Sequence, residues 1–166
     1  MAKHTSNNER SFKYLLPESY LAYIKNSVGT KMFRTFYVRD EKGKIYDVLK
    51  NGDLSCAVFV STVLRNFDLI EKLHFTTIRT VEDLVQSGWK KVKTGDMKPG
   101  DVIVWEKKPV RSGGDVPHIG FYVGNNQAVS NSSKTGMIQK HHVTYKTKRN
   151  IEAVYRPNWK KDYAKS

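Results

Sequence analysis

The segment Asp53-Leu54-Ser55-Cys56-Ala57-Val58-Phe59-Val60-Ser61-Thr62-Val63-Leu64 holds the only cysteine of the chain. Asp53 suits an N-cap, because its carboxylate can accept the free amide hydrogens of a first helical turn. Val60, Val63, Leu64 and Phe67 recur at helical spacing, and Ala57, Val58 and Phe59 fill the other sides. A helix that is apolar nearly all round is a buried one. The pattern therefore predicts a central helix with Cys56 in its first turn, where the macrodipole and unpaired amides favour a thiolate. Two readings follow. Cys56 is either a nucleophile or one more small core residue, since free cysteine is among the most buried types.

On the N-terminal side of this segment, residues 1–11 read as a disordered lead. Pro17, Glu18 and the one-sided set Leu16, Tyr20, Tyr23, Ile24 predict a short amphipathic helix ending near Gly29. Met32 to Val38 and Ile45 to Leu49 are strand-like, joined by a hairpin loop at Asp40-Glu41-Lys42-Gly43. On the C-terminal side, Thr80 with Asp83 resembles a capping box and Gly88 a stop, which predicts a helix over Val81 to Ser87. The periodicity then changes. Lys98-Pro99-Gly100-Asp101 is a turn before the strand Val102-Ile103-Val104-Trp105. A Gly/Pro loop over Pro109 to Pro117 leads into His118-Ile119-Gly120-Phe121-Tyr122-Val123, and Gly124-Asn125-Asn126 turns the chain into Gln127 to Ser132. Two further strands are expected around Met137 to Val143 and Ile151 to Arg156. Helices first and an antiparallel sheet after them make an α+β domain. With no repeat and no dividing linker, the 166 residues read as a single domain.

A lone cysteine excludes an internal disulfide and any four-cysteine zinc site. The net charge of +13 is the strongest compositional signal. It is concentrated late, in Lys90, Lys91, Lys93, Lys98, Lys107, Lys108 and Arg111, then in Lys140, Lys146, Lys148, Arg149, Arg156, Lys160, Lys161 and Lys165, with residues 159–166 forming a basic tail. Such a surface attracts anionic cell-wall polymers, anionic lipid or nucleic acid, or is simply a solvated face. No stretch approaches the roughly 18 apolar residues of a membrane span. The first residues show no signal peptide, so the expected location is the cytoplasm or a cell wall reached by another route.

A thiol nucleophile needs an imidazole to take its proton and a third group to orient that imidazole. His118 is the leading base, because it starts a strand beside a loop and Gly120 leaves space on the same strand face. The third member is Ser130 or Asn131, according to register. A two-residue turn at Asn125-Asn126 puts Asn131 on the face of His118, and a turn one residue longer puts Ser130 there. His4 and His74 lie in the lead and in a connection, and His141 and His142 alternate across a strand, so both cannot serve one site. No metal-ligand cluster and no phosphate-binding glycine loop stands out, and no cofactor is expected.

These residues resemble the NlpC/P60 cysteine peptidases, a papain-like family related to the CHAP amidases. Asp53 to Val60 is similar to that family's Asp-Cys-Ser-Gly-Phe-Val segment, Met97 to Trp105 to its Leu-x-Pro-Gly-Asp-Leu strand, and His118 to Asn125 to its His-Val-Gly-Ile-Tyr-Ile-Gly-Asn strand. The resemblance implies a papain-like α+β fold, with N-terminal helices packed on an antiparallel sheet. It implies Cys56 as nucleophile, His118 as base, the third polar position at Ser130, where histidine is common, and Tyr46 lining the substrate site. Ser55 stands where that pattern has aspartate, and Ala57-Val58 where it has Ser-Gly. The implied activity is hydrolysis of amide bonds in bacterial peptidoglycan peptides. The competing readings are a non-catalytic polyanion- or nucleic-acid-binding module on the same fold, and an intracellular thiol amidase or peptidase with another substrate.

Overall fold

The structure, a computed structural model, describes residues 13–159, so the expected lead and nearly all of the basic tail lie outside the described residues. Its elements in chain order are α1 (Leu16–Asn26), β1 (Tyr37–Arg39), β2 (Ile45–Asp47), α2 (Cys56–Asn66), α3 (Thr77–Gln86), β3 (Lys90–Val92), β4 (Val102–Pro109), β5 (Asp115–Gly124), β6 (Gln127–Ser132), β7 (Met137–His142) and β8 (Ile151–Arg156). β1 and β2 form a small hairpin of their own. The other strands make one antiparallel sheet in the order β3-β8-β4-β5-β6-β7. The chain is therefore α+β, as expected, with helices leading and the sheet following. β3 had no signal in the sequence, being three residues long with two exposed lysines.

α2 is the hub. Phe59, Val60, Val63 and Leu64 are wholly buried, and Phe59 meets Phe33 and Phe121 edge to face at 5.2 and 5.5 Å. On one face of the sheet Val102, Val104, Ile119, Phe121 and Val129 pack against α2 and α1. On the other, Ile103, Trp105, Ala128 and Val143 make a second, smaller core. Two contacts bind the ends of the fold together. The Tyr20 hydroxyl donates to Gly100 O at 3.0 Å, and the buried Asp101 carboxylate takes both Nε and Nη2 of Arg156 at 3.0 and 2.8 Å.

Three local expectations are corrected. Asp53 does not cap α2: Ser55 holds the N-cap position without a side-chain bond, and Asp53 Oδ2 accepts the Ser112 amide hydrogen at 2.6 Å instead. The α3 cap is Thr76, whose hydroxyl accepts from the Arg79 amide. Asp83 faces away from that cap, to His74 Nε2 at 2.6 Å and the amides of Glu71 and Lys72. The Gly/Pro loop before His118 is mostly strand, because β4 and β5 continue past a bulge to pair Pro109 with Asp115, leaving only a tight tip over residues 110–114.

Candidate active site

Cys56 opens α2 at the mouth of a cavity of about 560 Å³ whose walls include Asp53, Thr77, Lys107, Lys134, Ser130, Asn131, His141, Tyr145, Arg149 and His118. The thiol is half-buried. Burial pushes its pKa up, against the opposing pull of the Ile119 and Ala57 amides, the Thr77 hydroxyl and the Arg149 charge. In the resting site desolvation thus outweighs the amides, hydroxyl and cation that favour the thiolate.

His118 stands on β5 opposite Trp105 of β4, and its ring lies over the indole with centroids 5.3 Å apart. Its Nε2 is 2.9 Å from Ser130 Oγ. Burial, then the charges of Arg149 and His141, hold this imidazole well below the ordinary histidine range. Thiol and imidazole are therefore both uncharged at neutral pH.

The choice between Ser130 and Asn131 is made by a bulge. Gly124 pairs with Gln127 across a two-residue turn at Asn125 and Asn126, both with positive φ, which by itself would bring Asn131 to His118. The register then shifts at Val123, so that Tyr122 pairs with Ala128 and Phe121 with Val129. Carried on along the strands, this sets Gly120 opposite Ser130 and puts Ser130 on the face of His118. Gly120 is needed there: a Cβ on it would come within 2.6 Å of Val129 O and 2.7 Å of Ser130 Cβ. Asn131 points to the helix side, where Nδ2 donates to Gly52 O at 2.6 Å.

Behind Ser130 lie residues that sequence reasoning set aside or missed. Ser130 Oγ is 2.8 Å from His141 Nε2 and 3.1 Å from the Tyr145 hydroxyl, and the His141 and Tyr145 rings stack at 4.0 Å. His141 Nδ1 is 2.9 Å from His142 O. The strand alternation that barred His141 and His142 from serving together left one of them free to serve. Tyr145, with φ of 52°, and Arg149 come from the loop between β7 and β8 and gave no periodic signal. Arg149 donates Nε and Nη2 to Glu106 O, and Nη2 also to Val116 O, which pins a half-buried cation beside the thiol. Tyr46 lies apart. Its hydroxyl donates to Asp40 Oδ2 on the β1–β2 hairpin, and it is not among the residues that line the cavity. Among the described residues no three of His, Cys, Asp or Glu converge on a common point that would hold a metal.

A model of the NlpC/P60 family matches residues 43–165. Among solved structures, NlpC2 from Trichomonas vaginalis superposes with a TM-score of 0.52 at 15% identity, over 90% of this chain and 49% of the other. An NLP/P60-family protein from Staphylococcus aureus, described as similar to lipoprotein, superposes with a TM-score of 0.51 at 12% identity, over 92% of this chain and 44% of the other. The chain spans about half the length of each, and at such identities the likeness is one of fold. No curated protein matches the chain. The family match covers most of the chain, including the cysteine helix and the strands of the site, and the chain belongs to the NlpC/P60 family.

Proposed function

We propose that the chain is a cysteine hydrolase that cleaves amide bonds in peptidoglycan peptides, with Cys56 as nucleophile, His118 as general base and Ser130 as the third member. The observation that carries this is the shared cavity. Its walls hold both a helix-head thiol and an imidazole whose Nε2 is already bound to Ser130.

Because the resting pair is uncharged, proton and attack move together. The Cys56 sulfur adds to the substrate carbonyl as His118 Nδ1 takes the thiol proton. Backbone amides at the start of α2, that of Cys56 among them, receive the developing oxyanion. The tetrahedral adduct collapses, the C–N bond breaks, and His118 returns its proton to the departing amine. Water then loses a proton to the same imidazole and attacks the thioester, releasing the acid and the thiol. Lys107, Lys108, Lys134 and Arg149 on the cavity wall favour a peptide bearing carboxylates near the scissile bond, as cell-wall stem peptides do. The basic surface would keep the enzyme on an anionic wall.

The test is digestion of purified peptidoglycan, with newly freed amines and soluble peptides followed by mass spectrometry. Wild type should release peptides, and Cys56→Ala and His118→Ala should release none while keeping native circular dichroism. Equal release by wild type and Cys56→Ala would overturn the reading.

A further inference from the structure

We propose that His141 is a positioning residue that fixes the tautomer of His118 through Ser130. This rests on the reading of His118 as general base. The chain of bonds has a direction set at its far end. A backbone carbonyl only accepts, so His141 Nδ1, 2.9 Å from His142 O, must carry hydrogen. In a neutral imidazole the other nitrogen is then an acceptor, and His141 Nε2 takes the Ser130 hydroxyl hydrogen over 2.8 Å. Ser130 has one hydrogen, now committed, and two lone pairs. These receive the Tyr145 hydroxyl at 3.1 Å and the His118 Nε2 hydrogen at 2.9 Å. His118 is left with an unprotonated Nδ1, the atom that must take the thiol proton. With both imidazoles neutral, every polar atom of the relay is thereby satisfied, and no other assignment achieves this.

A serine alone cannot do this work. Its hydroxyl rotates freely and could as well donate to His118 Nε2, which would put the imidazole proton on Nδ1 and block the base. His141 removes that alternative. Its own placement is over-determined: it stacks on Tyr145, lies near Trp105 with centroids 5.7 Å apart, and is anchored by the His142 carbonyl. The groups that face it are Ser130, Tyr145, Trp105, His142, Arg149 and, through Ser130, His118. Arg149 and His142 add their charges to burial in keeping it neutral, and the His142 carbonyl bond opposes them. Protonation of His141 would turn Nε2 into a donor and reverse the relay. The arrangement therefore works only while His141 is uncharged.

Two readouts test this without a substrate: the His118 tautomer by ¹⁵N ring shifts, and the second-order rate of Cys56 alkylation by iodoacetamide from pH 5 to 9. Wild-type His118 should be the Nε2–H tautomer and should alkylate faster than His118→Ala. In His141→Leu the tautomer should become mixed and alkylation at neutral pH should slow by about 10-fold or more. His141→Gln, which keeps an acceptor toward Ser130, should restore most of the rate but lose the acid-side dependence that belongs to His141. The double variant Ser130→Ala/His141→Leu should be no slower than Ser130→Ala alone, because His141 acts only through that hydroxyl. A folded His141→Leu with an unchanged tautomer and pH profile would overturn the proposal. Should His141→Leu fail to fold, His141→Gln decides: a mixed tautomer and lost rate despite the retained acceptor would overturn it equally. Wild type alkylating no faster than His118→Ala would instead refute the base assignment, a separate and recognisable failure.

Discussion

At the scale of single residues, the site is a set of small permissions. Gly120 permits Ser130 and the Trp105 indole to stand where they do, so Gly120→Ala forces strand β6 outward. Overpacking of this kind costs roughly 1–3 kcal/mol, and the denaturant midpoint should fall accordingly while alkylation of Cys56 loses its dependence on His118. The pH dependence also has a determinate sign. The folded-state pKa of His118 lies below its unfolded value, so the rate should hold through mildly acidic pH and fall only below the ordinary histidine range near 6.5. Cys56 and His118 were legible in the sequence because a lone cysteine at a helix start and a histidine at a strand start are signals within one element. Ser130 was legible only as half of a pair. Its selection depends on where two strands pair, and a bulge at Val123 leaves no mark that separates it from an ordinary strand residue.

At the scale of elements, each wall of the cavity is held by one or two bonds that can be cut. The tip of the β4–β5 hairpin is tied to the α2 entrance by Asp53, which accepts from the Ser112 amide at 2.6 Å and stands 3.8 Å from Arg111 Nε. Asp53→Ala should leave α2 intact, since the carboxylate is not its cap, but should raise hydrogen exchange at Ser112 and speed tryptic cleavage after Arg111. Unchanged exchange would mean the tip is held by its own turn. Elsewhere, Asp101→Ala removes both oxygens that bind the partly exposed Arg156 and should destabilise by about 2 kcal/mol, read from chemical unfolding. The sequence marked α2, β6 and the start of β4 well, because their patterns survive tertiary context. It misjudged the cap of α2 and the extents of β4 and β5. In both, a contact from outside the element decided: Ser112 claims Asp53, and Pro109 pairs with Asp115 where glycines suggested open loop.

At the scale of the molecule, the two halves of the site rest on two cores. Cys56 arrives on α2 from the side of the large core, whereas His118, Ser130 and His141 lie on the sheet face that carries Trp105, Ala128 and Val143. Phe59→Ala in the large core should cost about 3–5 kcal/mol and lower global stability. Val143→Ala in the small one should cost less and act mainly on the base, seen as a loosened His118 tautomer at near-native melting temperature. Stability should also peak between the histidine and thiol ranges. Below pH 6.5 the unfolded chain binds protons that buried His118 and His141 refuse, so stability falls with falling pH. Above the ordinary thiol range the unfolded chain sheds a proton that Cys56 retains, so stability falls again as pH rises. Thermal melts from pH 5 to 10 check both limbs.

The bulge at Val123 decides which side chain of β6 meets His118. A strand has only two phases, and taking Val123 into regular pairing opposite Ala128 would exchange them. That change would leave every letter of the sequence in place, yet bring an amide to the imidazole in place of a hydroxyl. Two relatives could therefore differ in how they orient the base while their site residues read identically in a column-by-column comparison. A route between a serine-linked and an amide-linked imidazole needs no substitution of these residues, only the gain or loss of a bulge.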